Sequence, residues 1–186
     1  MKIDDDRYEY IKAEVAALFE RYNVNKWPID PFVLAKRMGC QLEPYSSLDE
    51  YRLKTALTVS KDGFFLEDRC NNREHIFYND KMNKNRVKMT VMHEIGHAVL
   101  GHHNWINQEL AEAEANFFAK YALAPPPLVH LIKPSCPSDV ARAFSLSYEA
   151  AQYAYNYYLK LKYWYLKYGI SRDYEQRLLT LFAQAV

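Results

Sequence analysis

His93 and His97 stand four residues apart, with Glu94 between them, in the run His93-Glu94-Ile95-Gly96-His97. On a helix that spacing puts both imidazoles on one face, about one turn apart, where together they can bind one tetrahedral zinc ion. Glu94 then lies within reach of a water at the metal and is suited to act as general base in a hydrolysis. Five residues of this kind also occur by chance on helices that bind nothing, so the rest of the ligand set decides the reading.

Zinc used catalytically needs a third protein ligand and keeps a fourth position for water. Two placements compete. One is His103, six residues past His97. That arrangement requires glycine three residues after the second histidine, where Leu100 stands instead, with Gly101 one step late. It also requires a methionine turn downstream, and Met92 is the last methionine in the chain. The other placement is a glutamate from the next helix, with Glu109, Glu112 and Glu114 as candidates. Glu112 and Asn116 share a helical face, so with Glu112 on the metal an amide at Asn116 could orient a ligand imidazole. The same run also reads as a solvated acidic face beside an apolar stripe of Leu110, Ala113, Phe117 and Tyr121. His102 and His103 read as solvent-facing residues at a helix end, where positive charge is favourable. Cys136 reads as a loop cysteine rather than a thiolate ligand. Tyr78, His130 and Arg86 are the candidates for a donor to the oxyanion of a tetrahedral intermediate.

A helix over about 85–101 carries the motif. Arg86, Thr90, His93, Glu94 and His97 fall on one side of it, and Val87, Val91, Met92, Ile95 and Val99 give apolar cover. A second helix, from about Gln108 to Ala124, is stopped by Pro125-Pro126-Pro127. Upstream, Tyr8, Ile11, Val15, Leu18, Phe19 and Tyr22 form one stripe of a helix from about Asp5 to Tyr22. Asp30 followed by Pro31 opens a short helix that ends at Met38 before Gly39. Between these lie the strand signals. Residues 55–60 and 64–66 read as two strands around Asp62-Gly63, residues 74–78 as a third, and residues 41–43 as a fourth. Shorter helices follow, near 138–144, from Ser147 to about Tyr168, and after Ser171. The fold class predicted is α+β: mostly helical, with a small antiparallel sheet of three to four strands and a zincin-like active-site helix followed by a glutamate-bearing helix. A core over 1–126 that carries the metal motif is expected to precede a helical C-terminal region over 127–186.

Composition narrows the function classes. The chain has 186 residues, 49% hydrophobic and 25% charged, enough to bury a core. A net charge of +1 leaves no electrostatic footprint for nucleic acid or an anionic membrane. The acidic start, Asp4-Asp5-Asp6, is unlike a secretory signal, and no apolar run is long enough to span a membrane. Three widely spaced cysteines, Cys40, Cys70 and Cys136, give no disulfide framework. The expectation is a cytoplasmic globular protein.

The run from Arg86 to His102 resembles the active-site helix of the ImmA/IrrE-type metallopeptidase family. So does the run from Glu112 to Ala119 with Pro125 following, and the likeness extends over about 25–155 through Trp27-Pro28-Ile29-Asp30 and through Asp139 to Ser147. The resemblance implies one catalytic Zn2+ held by His93, His97 and Glu112, with Glu94 as base and Asn116 in the supporting position. It also implies an endopeptidase that cuts a partner regulatory protein, typically a helix-turn-helix repressor of a phage or mobile element or one governing a stress response. Two features depart from the common pattern: Ala124, where a bulkier residue is usual, and the tyrosine-rich tail beyond about Tyr157.

A different class of reading is a DNA-binding regulator with a structural or sensory metal site, using a helix-turn-helix over 138–155 in which Ser147 caps the second helix. Residues 139–186 carry six basic and four acidic residues, and none of the basic ones clusters on that helix, which argues against this reading and against a nucleic-acid partner. Tyr148, Tyr153, Tyr157, Leu161 and Trp164 recur at helical spacing and read as a core-facing stripe rather than a partner surface.

Overall fold

The computed structural model describes residues 3–68, 70–71, 73–102 and 107–183. The elements run α1 (Asp5–Arg21), α2 (Pro31–Met38), β1 (Gln41–Pro44), α3 (Glu50–Val59), β2 (Gly63–Asp68), β3 (Arg73–Tyr78), α4 (Lys84–Leu100), α5 (Gln108–Leu123), α6 (Pro126–Leu131), α7 (Pro137–Phe144), α8 (Tyr148–Tyr168) and α9 (Asp173–Ala183). The fold is α+β and mostly helical, as expected. Among the described residues no helix is long and apolar enough to cross a membrane. By compactness the chain falls into two units, one of Met1–Ile3 with Asp30–Ala119, the other of Asp4–Ile29 with Lys120–Val186.

In the first unit α2 forms where its punctuation dictates. The Asp30 side chain accepts from Phe32 N at 2.9 Å, Pro31 takes the first turn where its missing N–H costs nothing, and the helix stops at Gly39. The sheet has the order β1-β3-β2. β2 and β3 form an antiparallel hairpin with Phe65 opposite Ile76. β1 runs parallel to β3, with Leu42 opposite Ile76, so the sheet is mixed rather than antiparallel throughout. Ile76, in the central strand, is fully buried.

Residues 55–59, expected as a strand, are the second half of helix α3. Asp49 caps that helix by accepting from Arg52 N at 2.9 Å. The hydroxyls of Thr55 and Thr58 donate to the carbonyls of Tyr51 and Lys54, one turn back. The β-branched run Thr55 to Val59 imitates a strand, but the upstream cap and the good helix formers Glu50, Arg52 and Leu53 decide the outcome. The Asp62-Gly63 turn therefore joins a helix to β2.

The second unit is helical. In α1 the Asp4 carboxylate accepts from Arg7 N at 2.7 Å, and Ile11, Val15, Leu18 and Phe19 are buried. Trp27 stacks with Phe144 and Phe182, at centroid distances of 6.1 and 5.7 Å. The triple proline that ends α5 also starts α6, since Pro126 and Pro127 sit in a first turn that needs no N–H. On α8 the buried residues are Ala151, Ala154, Tyr158 and Tyr165. The stripe expected to face the core is thus displaced: Tyr148, Tyr153 and Trp164 are exposed. Small alanines let α7 and α6 approach α8, and tyrosine, apolar in its ring and polar at its tip, does not mark a core face by itself. Cys136 is exposed and precedes α7, where its N–H donates to Asp139 Oδ2.

Candidate metal centre

The site is built by α4 and by α5 up to Ala119, within the first unit. α4 starts at Asn83, whose side chain accepts from Asn85 N, and it buries Val87, Val91, Met92 and Ile95 on the side away from the cleft. The predicted polar side of α4 is a cleft wall: Arg86, Thr90, His93, Glu94 and His97 all line one cleft of about 480 Å³. Opposite them stand Glu112 and Asn116 of α5. Gly96 sets the separation of the two helices, because a Cβ there would stand 3.3 Å from Ala115 Cα and 3.1 Å from the Phe118 ring. The bare glycine lets α5 lie close enough for the Glu112 carboxylate to reach both imidazoles.

His93 Nε2 and His97 Nε2 are 3.0 Å apart. Glu112 Oε2 lies 3.2 Å from the first and its Oε1 lies 3.3 Å from the second. One ligand atom from each of these three residues lies within 4.8 Å of the other two. Two imidazole nitrogens and a carboxylate that converge in this way can offer their lone pairs to one cation. The donor set is that of a catalytic zinc with a position left open, so the residues fit the ion.

Glu94, next to His93, is 6% exposed. Burial pushes its carboxyl up to about 7, helped by the charge of Glu112 and opposed by His97 and by the Phe65 N–H that donates to it. Asn116 is exposed, and its amide donates to the Glu112 carbonyl at 2.8 Å, which steadies the turn that carries Glu112. Among the three oxyanion candidates, Arg86 lines the cleft and is held in a two-point pair by Asp62 at 2.8 Å. Tyr78 instead packs edge-on against Phe32, and His130 lies in the second unit against Tyr158.

His102 corrects an expectation. It is buried, 8% exposed, and not solvent-facing. Gly101 takes φ +69, ends α4 and folds the chain back, so that His102 Nδ1 comes 3.0 Å from His97 Nδ1. Its Nε2 lies 3.1 Å from Oε2 of Glu114, which is fully buried and not part of an acidic face. The clues to this pair in the sequence are a histidine placed directly after a helix-ending glycine and a glutamate flanked by Ala113 and Ala115. His103, the alternative third ligand, lies outside the described residues.

The family model described as the IrrE N-terminal-like domain, Peptidase_M78, matches residues 49–156. No curated protein matches the chain. The matched segment is more than half of the chain and holds α4, α5 and every residue of the His93, His97 and Glu112 cluster. The chain belongs to the Peptidase_M78 family and is a metallopeptidase of the ImmA/IrrE kind.

Proposed function

We propose that the chain is a zinc-dependent endopeptidase that cuts a partner regulatory protein, a helix-turn-helix repressor of a phage or mobile element or one governing a stress response. The observation that carries the hydrolase reading is the convergence of His93 Nε2, His97 Nε2 and the Glu112 carboxylate beside buried Glu94, in a cleft open enough for a chain segment. The repressor rests on the family likeness alone.

His93, His97 and Glu112 would hold the zinc ion, which when bound polarises the scissile carbonyl and makes water more acidic. Glu94 takes a proton from the attacking water and gives it to the amine nitrogen as the C–N bond breaks. Burial of its carboxyl favours the protonated form between the two transfers. Substrate enters as an extended segment beside β2, the edge strand of the sheet on the cleft side, where Phe64 and Phe65 line the approach to Glu94 and His97. An edge strand of this kind can pair with main chain and leave side-chain pockets to read sequence.

The test is to incubate the zinc-loaded chain with a helix-turn-helix repressor drawn from the neighbouring reading frames and to weigh the products. A single internal cut, abolished by a chelator, is expected; an intact repressor contradicts the proposed substrate.

A further inference from the structure

We infer that His102 and Glu114 form a buried relay that fixes the protons of the site and leaves His97 with its Nε2 lone pair facing the metal position. The inference rests on the reading of His93, His97 and Glu112 as the metal site. The proton order is set from the carboxylate end. With Glu114 ionised and His102 neutral, the carboxylate can only accept, and His102 carries its hydrogen on Nε2 and donates it to Glu114 Oε2 across 3.1 Å. Neutral His102 then has a lone pair on Nδ1, which accepts the Nδ1–H of His97 across 3.0 Å. His97 is left bare at Nε2, the atom that faces His93 Nε2 and Glu112. The opposite order for neutral His102 sets its Nε2 lone pair against the Glu114 carboxylate at a position with no exposure to water, where such a clash is not relieved by solvent.

Each group has a reason to be where it is. Gly101, at positive φ, turns His102 back onto His97. Glu112 and Glu114, two residues apart on α5, point in nearly opposite directions, one to the Nε2 side of His97 and the other to His102 on its Nδ1 side. One helix therefore supplies both the acidic ligand and the carboxylate that orients an imidazole ligand. Such partners fix ring orientation and raise the basicity of the ligand nitrogen. His102 and Glu114 are positioning residues: neither joins the His93, His97 and Glu112 cluster.

Two measurements on the full chain test this. Zinc affinity is read by competition with a chromophoric chelator. The tautomer of His97 is read by long-range 1H–15N correlation on zinc-free protein, at a pH above the imidazole range. Wild type should show His97 protonated on Nδ1. Glu114→Gln keeps the side-chain size but offers an amide that can donate to His102 Nε2, so the relay loses its direction. His97 should then show both tautomers, and zinc binding should weaken by about 10- to 100-fold. The double substitution His102→Phe with Glu114→Met removes both polar groups together and should weaken zinc binding equally. A variant counts once its helical circular dichroism matches wild type, and either one decides if the other does not fold. A wild-type His97 with its hydrogen on Nε2 overturns the relay, as does wild-type zinc affinity in the folded variants. A wild type that binds no zinc would overturn the metal reading instead, and its His97 tautomer would still decide the relay.

Discussion

Gly96 of α4 and Ala115 of α5 meet backbone to backbone: a methyl group on Gly96 would stand 3.3 Å from the Ala115 Cα. That contact fixes the distance across which Glu112 must reach His93 and His97, so the glycine inside the motif is a spacer as well as a turn of helix.

Gly96→Ala should therefore loosen the metal site more than it harms the fold. Alanine gains about 1 kcal/mol over glycine in a helix interior. Overpacking against Phe118 and Ala115 costs about 1–3 kcal/mol. The two largely offset, and the melting temperature should fall by only a few degrees. Glu112 is displaced, and zinc binding should weaken by about tenfold. Chelator competition checks this, and an unchanged zinc affinity would show that the spacing is not critical.

Glu175 gives a pH prediction away from the metal. It is 4% exposed, and burial raises its carboxyl although the Tyr165 hydroxyl donates to it at 2.5 Å. A raised folded-state pKa means that its stabilising effect is complete below the unfolded value and is lost as pH rises through the folded value. Glu175→Gln should then raise the melting temperature at neutral pH, and the gain should vanish as pH falls to about 4. Melting curves across that range check the sign; a loss of stability at neutral pH would refute it.

α8 provides a packing test. Tyr158 is 1% exposed and Trp164 is 56% exposed. Tyr158→Ala should cost about 3–5 kcal/mol, as large-to-small changes in a core do. Trp164→Ser should change stability by no more than about 0.5 kcal/mol. Equal costs in denaturant unfolding would restore the core-facing stripe that helical spacing predicts.

Elements with strong local punctuation are legible in the amino-acid sequence. Asp30, Pro31 and Gly39 mark α2 to the residue, and the periodic burial of Val87, Val91 and Ile95 marks α4. The grouping of His93, His97 and Glu112 is legible in part: helical spacing pairs the two histidines, and the family likeness selects Glu112 from Glu109, Glu112 and Glu114. α3 is not, since Thr55 to Val59 has the β-branched character of a strand and its cap at Asp49 lies several residues upstream. The α8 stripe is displaced because the tyrosines there give no clean apolar face. His102 and Glu114 are hidden for a different reason. Their pairing depends on a positive-φ turn at Gly101 and on the closeness of α5 to α4, which no local periodicity encodes.

The central claim is that His93, His97 and Glu112 hold a zinc ion and that Glu94 moves the proton in peptide cleavage. It is tested most directly by measuring zinc content and repressor cleavage together in wild type and Glu94→Gln. Both proteins should carry one zinc ion, and the variant should cleave about 10²- to 10⁴-fold more slowly. A Glu94→Gln protein that retains its zinc and cleaves at the wild-type rate would contradict the assignment.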